Sequence, residues 1–235
     1  VVDADSAIVI DLFLSYRAVK DWQSMVDLVT KMSPPLKRTI LVQEQLSFAL
    51  NRLGRHKDAE NVLADVIEYH GPSSETNGIL GRVYKDQWLK ANADGSPAAS
   101  AFLKKAIDAY LQGFESDWRD AYPGINAVTL MECSEPPDPR RNELIPVVAY
   151  SVKRRLASRS PNYWDYAIQL EISILSEQVE NARSALGMAI TSIRECWEPE
   201  TTANNIRMIR EVRERRGVEC EWIKDIEKNL MRAQP

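Results

Sequence analysis

Hydrophobic positions along the chain recur every three or four residues, and the segments that carry this pattern come in pairs. The clearest pair begins with 41–52, whose apolar face is formed by Leu41, Val42, Leu46, Ala49 and Leu50. Its second segment, 56–69, follows Gly54 and carries Ala59, Leu63, Val66 and Ile67. This spacing is typical of one face of an α-helix, and Gly54 and Gly71-Pro72 supply stop signals. The pattern predicts a unit of helix, short turn, helix and stop.

The next unit carries residues that are typical of a tetratricopeptide repeat. Leu80-Gly81 and Tyr84 reproduce the Leu-Gly-x-x-Tyr spacing in the first helix of that repeat. We expect Gly81 to let a neighbouring backbone approach, and Tyr84 to lie in the core beside it. The stretch 87–97 is longer than the basic repeat requires and ends in Gly-Ser-Pro, which predicts a lengthened first helix followed by a loop.

The same pairing extends over the rest of the chain. Further helices are predicted at 8–17, 22–32, 102–114, 142–157, 163–175, 179–196, 201–215 and 218–231, and another starts at Pro123 before the proline-rich break at 136–139. Each pair leaves an apolar face that only the next pair can cover. We therefore predict an all-α protein, a tetratricopeptide-like α-solenoid of about six helix pairs that forms a single domain over residues 1–235.

Composition supports helices and disfavours several classes of ligand. Only 9 of 235 residues are Gly and 8% are aromatic, whereas helix-forming residues are plentiful. The net charge of -4 gives no overall attraction to nucleic acid or to an anionic membrane. The most apolar early stretch, 7–14, contains Asp11 and is far shorter than the roughly 20 residues that span a bilayer. We expect no membrane binding and no nucleic-acid partner.

The cysteines indicate the redox setting. Cys133, Cys196 and Cys220 are too few and too far apart for a disulfide framework, and none forms a CxxC pair. This favours a reducing, cytoplasmic location, with each cysteine a small buried residue and redox sensing as the alternative. Because the chain begins with Val1, we also expect it to be a fragment of a longer protein.

Enzyme motifs are missing from the sequence. It contains no GxxxxGK, GxGxxG, HExxH or GxSxG pattern. The two histidines, His56 and His70, lie at opposite ends of one predicted helix, about 20 Å apart, and cannot share a metal ion. We therefore expect no enzymatic activity, no cofactor and no metal site.

Three segments carry a resemblance to a known family. They are Ala49-Leu50-Asn51-Arg52, Gly81 to Asp86 and Pro123 to Ala127. In this order they resemble the TRAFs-binding domain of the apoptosis signal-regulating kinases, and still more its bacterial relatives. The resemblance is clear over about 40–130 and looser elsewhere. It implies a regulatory, tetratricopeptide-like region that binds protein partners.

A candidate binding groove follows from the repeat. In a tetratricopeptide stack, the first helices line the concave face, and positions three and four apart point the same way. By this register the face presents Phe48, Asn51, Arg82, Lys85 and Asn126. Arg and Asn direct hydrogen bonds at carboxylate and amide groups, which suits an acidic or extended peptide. The alternative is structural, with Asn51, Asn126 and Asp86 bridging the repeats.

An arginine-rich run lies near the end of the chain and consists of Arg207, Arg210, Arg213, Arg215 and Arg216. Because Glu211 and Glu214 lie among these residues, the run predicts a solvated helix face with ion pairs along the helix rather than a nucleic-acid patch.

These observations favour a non-catalytic interaction or scaffold module that binds a protein or peptide partner in its concave groove. The alternative is a sensor domain that binds a small anionic ligand, such as a nucleotide, in the same groove and controls an attached effector.

Overall fold

A computed structural model describes residues 5–157 and 160–233. Within these residues the chain forms thirteen α-helices and no strand, so the all-α prediction is confirmed. The helices are α1 Ser6–Ala18, α2 Trp22–Thr30, α3 Pro34–Lys37, α4 Ile40–Arg52, α5 His56–His70, α6 Ser74–Ala93, α7 Ala99–Ser116, α8 Ala121–Glu132, α9 Arg141–Leu156, α10 Tyr163–Leu175, α11 Val179–Ile190, α12 Trp197–Arg215 and α13 Glu221–Arg232.

Two differences from the predicted helices have a clear physical reason. A single turn, α3, follows Ser33 and begins with Pro34, because proline fits the first helical position. The predicted helix 179–196 is too long, since α11 ends at Ile190. The carboxylate of Glu198 accepts hydrogen bonds from the backbone N–H groups of Arg194 and Glu195, at 2.8 and 3.1 Å. A side chain in the first turn of α12 therefore holds these two groups in the connection before that helix, and they do not continue α11.

The chain divides into two compact units, Val1–Ser116 and Asp117–Pro235. The single domain over 1–235 stays a prediction. In the first unit each long helix packs on the next, from α1 to α2, then α4, α5, α6 and α7. This sequential packing is typical of a solenoid, because each helix pair covers the exposed apolar face of its neighbour. Its largest fully buried side chains are Phe13, Met25, Leu63, Tyr110 and Phe114.

The hairpin of α6 and α7 is held close by a glycine. A Cβ atom on Gly81 would lie 2.6 Å from the ring of Tyr110, closer than packed atoms approach. The sequence predicted a close approach at Gly81, and the structure shows that an aromatic ring on α7 makes it. The loop after α6 begins at Asp94, as the lengthened helix predicted.

In the second unit, α8, α10 and α12 pack on one another, with α9, α11 and α13 as their partners. Nearly every residue of α8 is buried, including Pro123, Gly124 and Asn126. Asn162 begins α10 with a capping box, in which its side chain accepts backbone N–H groups and Asp165 accepts the Asn162 N–H. The hydroxyl of the buried Tyr163 donates to Thr202 of α12 at 2.8 Å. This bond joins α10 to α12 within the core.

Candidate functional site

The first unit presents an aromatic ring in contact with two cations. The guanidinium groups of Arg17, at the end of α1, and Arg52, at the end of α4, each lie 4.9 Å from the ring centroid of Phe48. The ring of Trp22 meets the same ring edge-on at 5.6 Å. Phe48 is partly exposed and both arginines are exposed. We call Arg17, Trp22, Phe48 and Arg52 the aromatic–basic surface.

A polar network adjoins this surface, one helical turn along α4. The Asn51 amide donates to Asp86 of α6 at 2.7 Å, and its carbonyl oxygen lies 2.7 Å from Nδ1 of His56. Arg82 donates to the other Asp86 oxygen at 2.8 Å. Asp86 therefore connects the buried Asn51 to Arg82, whose side chain is 32% exposed. The network links α4, α5 and α6, so Asn51 has the bridging role that was the structural alternative.

The five predicted groove residues fall into different environments. Phe48 and Arg82 are partly exposed, whereas Asn51, Lys85 and Asn126 are buried, and only 4% of Lys85 is accessible. Asn126 lies on α8, in the second unit, and its amide donates to the carbonyl oxygen of Tyr122 at 3.0 Å. Partner binding by these residues stays a prediction. The structure joins Asn51 and Arg82 through Asp86, whereas the Phe48 ring contacts Arg17, Trp22 and Arg52 instead.

Tyr84 is not the core residue that the repeat spacing predicted. It is half-buried, its hydroxyl donates to Glu60 of α5 at 2.8 Å, and Lys105 lies over its ring at 4.9 Å. Burial and the contact with Glu60 raise the pKa of Tyr84. Partial burial opposes ionisation of Glu60, but hydrogen bonds from Tyr84, Lys57 and Lys105 outweigh it and lower the pKa of that carboxyl. The three donors keep Glu60 charged beside the Tyr84 ring.

The arginine-rich run is only partly a solvated face. Arg210 does pair with Glu214 along the helix, at 2.6 Å. Arg207 and Arg210, however, both donate to Glu227 of α13, at 2.6 and 3.0 Å. Arg213 is buried, with 5% of its side chain accessible. The prediction is wrong for Arg213, because tertiary packing brings a buried carboxylate, Glu132, within 3.0 Å of it.

Two of the three cysteines are buried, as predicted. Cys133 and Cys220 are buried, and burial raises the pKa of the Cys220 thiol. Cys196 is exposed, so the expectation of a buried residue is wrong there. Within the described ranges, no three His, Cys, Asp or Glu side chains are placed to hold a metal ion. In the same ranges, no helix has both the length and the apolar character needed to cross a membrane.

Sequence reasoning missed Arg17, Trp22 and Arg52 as parts of the surface. Arg52 follows Phe48 by four residues, and this helical spacing was a signal that could have paired them. Arg17 and Trp22 lie on other helices, so only the packing of α1 and α2 beside α4 shows their contact with Phe48.

Comparisons with known proteins agree with this architecture. A family model described as the MAP3K TRAFs-binding domain matches residues 2–229. The chain belongs to this family. The resemblance seen over 40–130 is therefore confirmed over nearly the whole chain.

Similar proteins include two named kinases. Mitogen-activated protein kinase kinase kinase nsy-1 of Caenorhabditis elegans is 29% identical over 218 residues, which cover 84% of this chain and 14% of the kinase. Mitogen-activated protein kinase kinase kinase 15 of Mus musculus is 29% identical over 216 residues, covering 87% of this chain and 16% of that protein. The chain thus corresponds to a small part of each kinase. A bacterial source stays a prediction.

A solved structure supports the fold. The thermophilic tetratricopeptide protein TTC0263 of Thermus thermophilus superposes with a TM-score of 0.59 at 12% identity, over 86% of this chain and 99% of that one. This likeness confirms the tetratricopeptide-like fold.

Proposed function

We propose that this TRAFs-binding domain is a non-catalytic module that binds an acidic protein segment on the aromatic–basic surface and the adjoining Arg82. The observation that carries the proposal is Phe48, a partly exposed ring in contact with two exposed guanidinium groups. The family description, which names TRAFs as partners, supports protein binding.

The chemistry of the surface suits a segment in which acidic and apolar residues alternate. A guanidinium group presents a planar set of donors that matches a carboxylate, and Arg17, Arg52 and Arg82 supply three of them. The Phe48 and Trp22 rings offer an apolar contact between the charges. Asn51 contributes by orienting Asp86, which holds Arg82. Lys85 and Asn126 remain predicted contacts that a partner would reach only if their surroundings opened.

The test uses a fluorescent peptide that alternates Glu and Leu, together with its counterpart that alternates Lys and Leu. We expect the acidic peptide alone to bind, and its affinity to fall as salt is raised, because exposed charges are screened. Arg17→Gln and Arg82→Gln should each weaken binding by about tenfold, or about 1.4 kcal/mol. Lys104→Gln is the matched control, because Lys104 is an exposed cation of the same unit, paired with Asp108 on α7.

A second arm replaces the peptide by a purified TRAF protein and uses the same variants. Binding that weakens in Arg17→Gln and Arg82→Gln supports one surface for both ligands. Equal affinity of all variants for both ligands would remove the surface assignment. The small-ligand sensor gains no support from the family or the fold and stays an untested alternative.

A further inference from the structure

A cavity in the second unit collects three arginines around one buried carboxylate. The cavity has a volume of about 350 Å³ and lies where α8 ends, α9 begins and α12 ends. Its walls include Glu132, Arg141, Glu177, Arg213 and Arg216. The volume is at the lower end of the roughly 300–1,000 Å³ of ligand pockets. All of these residues belong to the second unit, whereas those of the aromatic–basic surface belong to the first.

Arg213 has a structural role. It donates to the Glu132 carboxylate at 3.0 Å and to the backbone oxygens of Ile174 and Leu175, both at 3.1 Å. Those two carbonyl groups end α10, where intrahelical donors are lacking. All three kinds of nitrogen of the guanidinium group are thus engaged, and the residue ties α12 to α8 and α10.

Arg216 and Arg141 contact the same carboxylate, although Arg213 already joins the three helices. Arg216 also donates to the Glu132 carboxylate, at 3.2 Å, and to the backbone oxygens of Glu132 and Ser134, each at 2.7 Å. Arg141 contacts the second Glu132 oxygen. Within the described residues, the buried Nε of Arg216 has no hydrogen-bond partner, and it lies 3.6 Å from a carboxylate oxygen of Glu135. Three guanidinium groups therefore share one carboxylate of which 3% is accessible.

The other carboxylates at the cavity leave this positive charge poorly balanced. Glu177 lies 3.9 Å from Arg213 but is 72% exposed, and Glu135 is 61% exposed, so water screens both. Burial and the charges of Arg213 and Arg216 lower the pKa of Arg141, as expected for a cation held among like charges. The three arginines carry two more positive charges than Glu132 balances, which matches the charge of a phosphate dianion. Guanidinium groups also bind phosphate through paired donors.

We propose that this cavity is a binding site for a small phosphate-bearing ligand, held by Arg141 and Arg216 with Arg213 and Glu132 as its floor. The ligand is either free phosphate or a small phosphate monoester, since both present the same group.

The test measures Tm of the full chain against inorganic phosphate, glycerol phosphate and acetate, with NaCl adjusted to keep ionic strength constant. At about ten times the Kd, we expect a saturable rise in Tm of about 3 °C with a phosphate compound and none with acetate. A larger rise with glycerol phosphate assigns the site to a monoester, and an equal or larger rise with inorganic phosphate assigns it to the free ion. Equal rises with acetate and phosphate, or no rise with any, overturn the proposal.

Three variants locate the site. Arg141→Gln should abolish the phosphate-dependent rise, whereas Arg140→Gln should keep it, because Arg140 is the neighbouring arginine and pairs with Asp138 instead. Glu177→Gln removes an exposed carboxylate that lines the cavity. It should tighten phosphate binding about threefold, as measured by calorimetry. This second variant keeps the proposal testable even if Arg141→Gln fails to fold. A full rise in a folded Arg141→Gln, or unchanged affinity in Glu177→Gln, contradicts the proposal.

Discussion

The two units use arginine in opposite environments. In the first unit, Arg17 and Arg52 lie exposed over the Phe48 ring and Arg82 pairs with a partly exposed carboxylate. In the second unit, Arg213 is buried against Glu132 and two backbone oxygens. A surface ion pair contributes little to stability, whereas a buried charge that loses its partner is costly. We therefore expect substitution of the exposed arginines of the first unit to change stability little, and loss of the buried charge of Glu132 to change it most.

The largest effect is expected at Glu132. Glu132→Gln leaves three arginines around a neutral side chain and should lower the free energy of unfolding by about 3–5 kcal/mol, measured by urea denaturation. Glu177→Gln is the control, because its carboxylate is 72% exposed and should cost less than about 0.5 kcal/mol. Similar losses in the two variants would contradict the distinction between buried and exposed charge.

The next prediction compares the stability effects of replacing one helix glycine in each unit by alanine. Gly81→Ala places a methyl group 2.6 Å from the Tyr110 ring and should destabilise the protein by about 1–3 kcal/mol. Gly187 lies on α11 in the second unit, and a Cβ there meets nothing within 4 Å. Gly187→Ala should therefore stabilise by about 0.5–1 kcal/mol, because alanine is the better helix former. Thermal unfolding of the two variants should show shifts of opposite sign.

A smaller, pH-dependent effect is expected at Tyr84. Tyr84→Phe removes a donor to Glu60 and should cost about 1 kcal/mol at neutral pH. Because the pKa of Glu60 is lowered in the folded state, its stabilisation is present above the ordinary carboxyl pKa of 4.5 and is lost as pH falls through the lowered folded value. The difference between the two proteins should therefore shrink below about pH 4.5. A constant difference from pH 7 to pH 3 would show that the charge of Glu60 plays no part.

The last prediction concerns rates rather than stability. Cys196 is exposed, whereas Cys133 and Cys220 are buried. Cys133 follows Glu132 in the chain, and Cys220 lies near Arg213. A thiol reagent should modify one cysteine rapidly in the native protein and all three after unfolding. In Glu132→Gln, faster modification of the two buried thiols would report local opening around the arginines. Cys196→Ser serves as the control that removes the rapid phase.

Several parts of the fold could be predicted because their signals are local. Hydrophobic spacing located the long helices, and Gly54 and Gly71, both with positive φ, mark the ends of α4 and α5. The end of α11 was misplaced because the groups that follow it are held by Glu198, a side chain of the next helix. Helix ends that depend on another element carry no signal in their own segment.

In the candidate site, too, local features could be predicted and contacts between helices could not. Register alone predicted that Phe48 and Arg82 lie on an accessible helix face, and both are partly exposed. Register did not reveal that Lys85 is buried or that Arg17 and Trp22 meet Phe48 from other helices. Nor did the arginine-rich run reveal Glu132, which lies 81 residues before Arg213.

The amino-acid sequence by itself determined that this protein is helical, that its helices come in pairs, and to which family it belongs, because helical periodicity and short motifs are properties of neighbouring residues. Only the tertiary structure decided which charges are exposed and which are buried. Burial depends on the elements that pack over a side chain, and those elements come from distant parts of the chain.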